Sequence, residues 1–396
     1  MTTASIYKQV RLGDVCDTTS GGTPSRSVPS YFGGGIPWVK SGDLTDGDVW
    51  DVDETISREG LEGSSAKLLP KGTLLLAMYG ATVGKLGILQ MYAATNQAIC
   101  GIRTPESLEP KFLFYQLLAR RPALVRMSVG GAQPNISQRL IRDLMISLPP
   151  LSEQRRIVDL LSRAENIVRM RREAEQKAKE IIPALFLDMF GDPVTNPKGW
   201  AVRTISDVVV AVEYGTSTKA GEGTVGVPMI RMGNVDVQGR LKLHDLKYVE
   251  LEEVDRRKYR LQPGDILFNR TNSKELVGKT GIWRSDRDAV AASYFIRVRV
   301  NETVLAPDYL WAFMNTPHMK KTLFGMARGA IGQSNINSQE LRSIPLAVPS
   351  LALQRTFSAR VCECLELEQY QEVAIGGSES VFQSLLAGVF SERQVT

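Results

Sequence analysis

Histidine and cysteine are scarce in this sequence, which limits the chemistry that the chain can carry. The 396 residues include two histidines and four cysteines. The cysteines, too few and too scattered for a disulfide framework, are Cys16, Cys100, Cys362 and Cys364. Cys364 lies on an apolar helical stripe, which favours packing over metal binding for the C-x-C pair at 362 and 364.

Motifs for methyl transfer and DNA cleavage are also missing. An adenine methyltransferase would need an N-P-P-aromatic or D-P-P-aromatic tetrapeptide, but Pro149 and Pro150 follow Leu148. Asp265 and Glu275 do not form a convincing nuclease arrangement with a lysine. With little material for acid–base chemistry, we expect the chain not to be an enzyme and to hold no metal or cofactor.

Two glycine-rich stretches imitate phosphate-binding loops. Residues 221–226 read GEGTVG, but Pro228 follows and no strand is expected before them, which excludes a Rossmann helix. Gly278, Lys279 and Thr280 resemble the end of a P-loop, yet Ser273 stands where the first glycine is needed. Neither stretch therefore indicates a nucleotide site.

Long apolar runs are absent as well. The first ten residues, MTTASIYKQV, have no apolar core of a signal peptide, and no run approaches the roughly 18 residues of a membrane span. We therefore expect a cytoplasmic protein without membrane association. The net charge of +5 and the pI of about 8.9 permit a polyanionic partner without demonstrating one.

Two long helices are predicted at matching places of the sequence. In the first, apolar and small residues recur at helical spacing: Ile157, Leu161, Ala164, Ile167, Ala174, Ala178, Ile181 and Leu185. A shift of 200 residues gives the stripe Phe357, Val361, Cys364, Leu367, Ala374, Ser378, Val381 and Leu385. Residues 151–180 carry a net charge of +2 and residues 351–380 one of −3, so we expect the two helices to pair.

The rest of the chain is duplicated too. GIPWVKSGDL (35–44) is echoed by GVPMIRMGNV (226–235), VGKLGI (83–88) by VGKTGI (277–282), and GGAQPNIS (130–137) by GAIGQSNIN (329–337). Short β-rich runs such as 73–78 and 294–300 alternate with glycine-rich turns, which predicts an α+β fold in each copy. We expect globular domains at 1–150 and 201–350, long helices at 151–189 and 351–390, and a linker at 190–200.

The first copy resembles a known family. SGGTPSRSVPSYFGGGIPWVKSGDL, LPKGTLLLAMYGATVGKLGI, TNQAICGI and ISLPPLSEQRRIV are similar to the first target recognition domain and central helix of type I restriction-modification specificity subunits. In the second copy, EYGTSTKAGEGTVGVPMIRMGNV, GRLKLHDLKYV and LQPGDILFNRTNSKELVGKTGIW resemble another class of the same domain. LFLDMFGDPVTNPKGW resembles the family's linker, and the likeness covers essentially residues 7–390.

The resemblance implies a non-catalytic subunit that reads the two half-sites of a split double-stranded DNA sequence. The helices would form an antiparallel coiled coil with pseudo-twofold symmetry, acting as a spacer and as a docking surface for two methyltransferase subunits. Restriction subunits would join the full complex. S-adenosylmethionine would belong to the methyltransferase, and ATP and Mg²⁺ to the restriction partner.

One feature departs from a regular spacer. The second helix contains Gly376 and Gly377 where the first has Gln176 and Lys177. Each glycine costs roughly 1 kcal/mol relative to alanine inside a helix. We therefore expect a kink or break at residues 375–378.

Loops rich in Lys, Arg, Asn, Gln, Ser and Thr recur at matching positions, and these residue types read base edges or hold phosphates. The candidate DNA-binding residues of the first copy are Thr23, Ser25, Arg26, Lys40, Ser41, Tyr79, Thr82, Lys85, Asn96 and Gln97. Those of the second copy are Tyr214, Thr216, Ser217, Lys219, Arg231, Asn234, Asn269, Arg270, Thr271, Asn272, Ser273, Lys279, Gln333 and Asn335. For Asn135 and Asn335, capping of the next element is a rival role that we favour slightly.

Two other functions remain open. The chain is also compatible with a specificity subunit for a fused type II endonuclease-methyltransferase. A coiled-coil scaffold that never touches DNA is the alternative from another class, and it predicts loops that tolerate substitution.

Overall fold

The structure, a computed structural model, describes residues 7–127, 135–221, 223, 225–327 and 334–390. The chain divides into two compact units. Unit 1 comprises residues 1–170 and 375–396, and unit 2 comprises residues 171–374. Each unit therefore contains one part of each long helix.

Unit 1 combines short strands with helices. Its strands are β1 (Gln9–Arg11), β2 (Asp17–Ser20), β3 (Phe32–Val39), β4 (Gly47–Val49), β5 (Thr55–Ile56), β6 (Leu74–Ala77), β7 (Leu86–Leu89), β8 (Ala94–Thr95), β9 (Ile99–Arg103) and β10 (Met145–Ser147). Its helices are α1 (Leu12–Val15), α2 (Arg58–Glu62), α3 (Pro110–Arg126) and α4 (Gln138–Asp143). The first long helix, α5 (Leu151–Phe190), begins in unit 1 and ends in unit 2.

Unit 2 repeats this order with local changes. Its strands are β11 (Ala201–Thr204), β12 (Val209–Tyr214), β13 (Val227–Ile230), β14 (Lys247–Val249), β15 (Ile266–Asn269), β16 (Thr271–Asn272), β17 (Thr280–Ile282), β18 (Val290–Ala291), β19 (Phe295–Val300), β20 (Ser334–Asn335) and β21 (Pro345–Val348). Its helices are α6 (Glu253–Tyr259), α7 (Pro307–Met314), α8 (Pro317–Met326), α9 (Ser338–Arg342) and the start of α10 (Leu351–Phe390).

The sheets of the two units correspond. A five-stranded sheet with the order β2-β9-β6-β7-β4 matches a four-stranded sheet with the order β12-β19-β15-β17. The three-stranded sheets β5-β3-β8 and β14-β13-β18 each join one antiparallel and one parallel pair. The all-apolar run of β6 is buried throughout, as expected for a strand inside a sheet. The β-rich runs predicted at 73–78 and 294–300 are confirmed as β6 and β19.

A glycine follows β2 and β12 because the backbone comes very close to another strand there. A Cβ atom at Gly21 would lie less than 3.0 Å from the carbonyl oxygens of Thr95 and Asn96. At Gly215 it would lie equally close to the carbonyl oxygens of Ala291 and Ala292. Only glycine fits such an approach.

A buried glutamine ties the start of each long helix to the globular part of its unit. Gln154 Oε1 accepts from the Glu109 amide at 2.9 Å, while Nε2 donates to the carbonyl oxygens of Ser107 and Pro149 at 2.9 and 2.8 Å. Gln354 repeats this pattern with the Ala306 amide and the carbonyl oxygens of Val304 and Pro349. Both side chains are fully buried and fully hydrogen-bonded. Sequence reasoning missed them, although a glutamine in both repeated entry segments was the available signal.

Within each unit, the beginning of one long helix packs against the end of the other. In unit 1, Ile157 and Leu161 near the start of α5 share a core cluster with Phe382, Leu386 and Phe390 near the end of α10. In unit 2, the ring of Phe357 near the start of α10 lies 5.9 Å from that of Phe186 and 5.2 Å from that of Phe190. The start of each long helix therefore lies beside the end of the other.

The predicted helical stripes are partly wrong. Ile157, Leu161 and Ala178 are buried as expected, but Ile167 and Ile181 are 51% and 40% exposed. Their neighbours Val168 and Ile182 are buried instead, and the same shift occurs from Val381 to Phe382. Large apolar residues lie on both sides of the predicted apolar stripe of each helix. Packing against the globular part of the unit determines which of them are buried.

Of the kink or break expected at residues 375–378, the break is wrong, because α10 is helical throughout Leu351–Phe390. The kink stays a prediction. The rings of Phe382 and Phe390 pack edge-on against Tyr115 and Phe112 of α3. Burying such side chains contributes about 1.5–3 kcal/mol each, which offsets the glycine cost.

The expectation that no segment approaches a membrane span needs correction. Within the described residues, α10 contains an 18-residue window of mean hydropathy 1.3, long and apolar enough by composition to cross a bilayer. This is weak evidence for a span, since Phe382, Leu386 and Phe390 belong to the core of unit 1.

Candidate nucleic-acid interface

In unit 2, segments far apart in sequence meet on one polar face. Strand β16, directly after β15, pairs with β20 through Thr271 opposite Asn335 and Asn272 opposite Ser334. The end of β12 lies beside them, where Tyr214 Oη accepts from the Ser338 amide at 3.4 Å. We call the group Tyr214, Arg270, Thr271, Asn272 and Asn335 the unit 2 face.

Unit 1 has an equivalent face built with different side chains. Tyr79 pairs with Asn135 through an isolated bridge, and Ser20 Oγ donates to Gln138 Oε1 at 3.0 Å. We call Ser20, Tyr79, Asn135 and Gln138 the unit 1 face. Ser20 and Gln138 were not among the predicted contact residues, although a polar position following the repeated Asn-Ile pair was the available signal.

Backbone hydrogen bonds establish which positions of the two faces match. The Ile136 amide donates to the Met78 carbonyl oxygen at 2.7 Å, and the Ile336 amide donates to that of Arg270 at 3.0 Å. Met78 and Arg270 therefore hold the same position in the two units. Met78 is buried, whereas Arg270 is half-buried.

The capping role favoured for Asn135 and Asn335 is wrong. The caps are Ser137, whose hydroxyl accepts from the Leu140 amide, and Asn337, whose side chain accepts from the Gln339 and Glu340 amides. The fully buried Ile136 and Ile336 separate each asparagine from the helix, so the caps lie two residues later. Asn135 and Asn335 belong instead to the strand pairings of the two faces.

Two predicted cations of unit 1 share one carboxylate. Arg26 and Lys40 form ion pairs with Glu54 at 2.6 and 2.9 Å. The Arg26 guanidinium also lies 4.4 Å from the centroid of the Phe32 ring. The hydrogen bond with Glu54 raises the pKa of Lys40, so the Lys40 ammonium stays charged beside the carboxylate.

Lys85 belongs to a second ion cluster. Its ammonium lies 3.0 Å from Asp46, and Arg121 donates to the same carboxylate while its Nε donates to the Gly84 carbonyl oxygen at 2.8 Å. Burial alone would raise the pKa of Asp46, but hydrogen bonds from the Leu86 amide, Arg121 and Lys85 outweigh it and hold the pKa below its ordinary value. These contacts favour a structural role for Lys85.

Several predicted contact residues of unit 2 are buried, which favours a structural role for them, while their assignment as DNA contacts stays a prediction. Asn234 donates to the carbonyl oxygens of Lys242 and Asp245 and accepts from the Arg231 amide, so its amide is fully used. Lys279 donates to the carbonyl oxygens of Met232 and Val235 at 2.9 and 2.5 Å. Burial lowers the pKa of Lys279. The remaining buried members are Thr216 and Asn269.

The other predicted residues retain some exposure. Arg231 is half-buried and donates to the Asp245 carbonyl oxygen at 3.1 Å. The exposed members are Thr23, Ser25, Gln97, Ser217 and Lys219. Half-buried members outside the two faces are Ser41, Thr82, Asn96 and Ser273. Gln333 lies outside the described residues.

Metal ligands are not gathered anywhere in the part of the chain that the structure describes. No group of three or more His, Cys, Asp or Glu side chains there is arranged to hold a metal ion. The chemistry that the two faces offer is therefore hydrogen bonding, charge and aromatic stacking.

Comparison with known proteins identifies the class to which these two units belong. Residues 5–180 and 197–360 match the type I restriction modification DNA specificity domain, so the chain belongs to that family and carries two copies of its domain. It is a type I restriction-modification specificity subunit with mixed helix and sheet content.

Individual relatives are distant but extend over nearly the whole chain. The specificity subunit of the type I restriction enzyme EcoKI from Escherichia coli K12 is 23% identical over 90% of this chain and 82% of its own length. The MjaVIII specificity subunit from Methanocaldococcus jannaschii is 21% identical over 96% of this chain and 92% of its own.

Solved structures share the fold. A chain from a study of complex assembly and conformational transition in the type I R-M system has a TM-score of 0.61 at 20% identity, covering 97% of both chains. The S subunit from M. genitalium has a TM-score of 0.55 at 12% identity, covering 98% of this chain and 97% of its own.

Proposed function

We propose that this chain recognises a bipartite double-stranded DNA site, with unit 1 reading one half-site and unit 2 a different one. The chain itself catalyses nothing. It docks two methyltransferase subunits and, through them, restriction subunits. We further propose that it works in the cytoplasm, where its DNA is located.

One observation carries the proposal: two matching scaffolds share one asparagine, Asn135 and Asn335, but present different side chains at other equivalent backbone positions, such as Tyr79 and Thr271. Ser20, Tyr79, Asn135 and Gln138 form the face of unit 1, and Tyr214, Arg270, Asn272 and Asn335 contribute to that of unit 2. Hydroxyl, amide and guanidinium groups are the donors and acceptors that distinguish base edges. Because the backbone arrangement is shared while the surface side chains differ, the two units are suited to half-sites of different sequence.

The long helices are proposed to set the separation between the half-sites. At 1.5 Å per residue, a 40-residue helix is about 60 Å long. We propose that α5 and α10 form one antiparallel coiled coil with pseudo-twofold symmetry, supported by the packing of the start of each helix against the end of the other. Exposed apolar residues on the helices, such as Met170, Tyr370 and Val373, suit a docking surface for methyltransferase subunits.

The reaction belongs to the proposed partners. The methyltransferase subunits would supply S-adenosylmethionine and transfer its methyl group to the N6 of adenine. ATP and Mg²⁺ would be used by the restriction subunits. This chain would only determine which DNA sequence is bound.

The decisive measurement is a genome-wide map of N6-methyladenine in source cells with and without this gene. We expect deletion to remove methylation from one split motif, two short blocks around an unspecified gap. An unchanged map, together with no DNA binding by the chain copurified with its methyltransferase, would leave the scaffold alternative in place.

The partner is tested separately through binding and neighbouring genes. We expect the copurified complex to bind duplexes carrying the motif and to lose affinity steeply as salt rises, because cationic side chains release counterions from phosphates. A neighbouring gene for a separate translocating endonuclease supports the type I assembly. A single fused endonuclease-methyltransferase gene would support the type II alternative.

A further inference from the structure

A side chain that reads a base must have donors that the protein itself does not use. Most of the predicted basic residues fail this requirement in the described structure. Acidic partners neutralise Arg26, Lys40, Lys85 and Arg231. Backbone carbonyl oxygens hold Lys279, which leaves Arg270 and Lys219.

Arg270 is oriented without being paired. Its amide donates to the Tyr294 carbonyl oxygen at 2.9 Å, and its own carbonyl oxygen accepts from Ile336, so its backbone is held on both sides. Its guanidinium carbon lies 4.8 Å from the centroid of the Tyr214 ring. Nε is buried and has no hydrogen-bond partner among the described residues.

This geometry is suited to one type of base. Arginine donates two parallel hydrogen bonds to O6 and N7 of guanine, the commonest specific contact in the major groove. Stacking on Tyr214 restricts the guanidinium before DNA arrives, which reduces the entropy lost on binding. The exposed Lys219 lacks such restraint and suits a phosphate contact.

We propose that Arg270, held by Tyr214, is a specificity-determining residue that reads a guanine in the half-site of unit 2. The inference rests on the proposed function and adds one base and one residue to it. Unit 1 has buried Met78 at the matching position, so its half-site is read there by other means.

The test replaces Arg270 by the residue that unit 1 carries at this position. R270M is produced together with the methyltransferase in a host without other adenine methylation, and its methylated motif is compared with that of the natural chain. We expect one guanine in one half-site to become degenerate while the other half-site is unchanged. Discrimination at that position should fall about tenfold or more.

Two controls separate base reading from phosphate contact. K219M should weaken methylation evenly across sites without altering the motif and should lower the salt dependence of binding. R270K keeps the positive charge but loses the planar guanidinium that donates two parallel hydrogen bonds. We therefore expect it also to reduce the preference for guanine at that position of the motif. Uniform weakening by R270M with an intact motif would overturn the proposal.

A measurement on the natural complex avoids any folding defect in a variant. A set of duplexes is prepared in which one guanine of the motif at a time is replaced by 7-deazaguanine. Each duplex therefore lacks the N7 acceptor at a single position. We expect one such duplex to lose about tenfold or more in binding to the natural complex, whereas R270M should bind it as it binds the unmodified duplex. If no guanine of the unit 2 half-site is sensitive, the inference is wrong while the proposed function stands. If the natural complex methylates no split motif, the proposed function itself fails.

Discussion

Met78 in unit 1 and Arg270 in unit 2 share a backbone position, yet one is a buried thioether and the other a guanidinium on an aromatic ring. Gln154 and Gln354, in contrast, are the same residue making the same three hydrogen bonds. The comparison shows where the repeat can diverge. The interior hydrogen bonds to backbone groups are kept in both units, whereas the position next to the proposed recognition face has diverged: Met78 belongs to the core cluster of unit 1, and Arg270 stacks on Tyr214.

The electrostatic support of matching turns also differs. Lys85 follows Gly84 in unit 1 and is paired with Asp46, whereas Lys279 follows Gly278 in unit 2 and is held by carbonyl oxygens. The carbonyl oxygen of Gly84 accepts from Arg121, and that of Gly278 accepts from Lys320 at 3.4 Å. The same turn is therefore supported by an ion cluster in one unit and by buried amines in the other.

Replacement of either buried glutamine should give the largest effect. Q154L and Q354L each leave one amide and two carbonyl groups without partners, so we expect each to lower the free energy of unfolding by about 4 kcal/mol. Scanning calorimetry of the full chain measures the loss. A much smaller loss for one of the two would show that the units are not equivalent in their interiors.

Gln116 provides the control for these substitutions. It is equally buried in α3, but neither of its amide atoms has a hydrogen-bond partner among the residues that the structure describes. Q116L removes an unsatisfied polar group, so we expect unchanged or increased stability. A loss as large as that of Q154L would mean that burial alone, not hydrogen bonding, explains the effect.

Substitution of Gly21 and Gly215 tests the close approach between the backbone at these glycines and the neighbouring strand. We expect G21A and G215A each to lower the free energy of unfolding by about 3 kcal/mol, because the methyl group would collide with two carbonyl oxygens. Chemical unfolding followed by circular dichroism measures the change. G42A and G233A are matched controls, since a Cβ atom meets nothing within 4 Å at either position, and they should leave stability nearly unchanged.

Asp46 should make unit 1 the more acid-sensitive unit. D46N leaves Arg121 without its carboxylate, and we expect a loss of about 2 kcal/mol at pH 7. Because the folded pKa of Asp46 lies below its ordinary value of about 3.9, its contribution is present above that pH and is lost as the pH falls through the folded value. Calorimetry from pH 7 to pH 3 should show a shallower decline for D46N. An unchanged slope would exclude Asp46 as the source.

At pH 7, Lys320 should give the smallest effect, and its pH dependence has the same sign as that of Asp46 but lies at alkaline pH. Burial, with a lesser contribution from Lys279, lowers the pKa of Lys320 to about 8, while an unfolded chain holds this proton to about pH 10.4. The unfolded state therefore binds more protons between these values, so stability rises with pH there. The difference in stability between the natural chain and K320M should increase from pH 8 to pH 10. K320R, which copies Arg121 of unit 1, should remove this dependence, and a flat difference for K320M would contradict the assignment.

The repeat, the family and the two long helices were predictable because they depend on ordered sequence matches and helical spacing. The features that the sequence left undecided depend on tertiary packing. Asn234, Asn269 and Lys279 are residue types that contact DNA, but turns and sheet edges bury them inside the unit. At some positions the buried residue is the neighbour of the predicted one. Ile167 and Val168, for example, are both strongly apolar, so only tertiary packing determines which of the two is buried.

By itself, the sequence determined that one scaffold occurs twice, that long helices follow each copy, and that the family is that of type I specificity subunits. These conclusions follow from local periodicity and from recurrence, both of which a single chain displays. Tertiary structure alone decided which of the predicted DNA-contacting cations lie beside a carboxylate in the described part of the chain. Glu54 lies 14 residues from Lys40 and Asp46 lies 39 residues from Lys85, so only folding brings these charges together. Folding likewise places the Arg270 guanidinium against the ring of Tyr214.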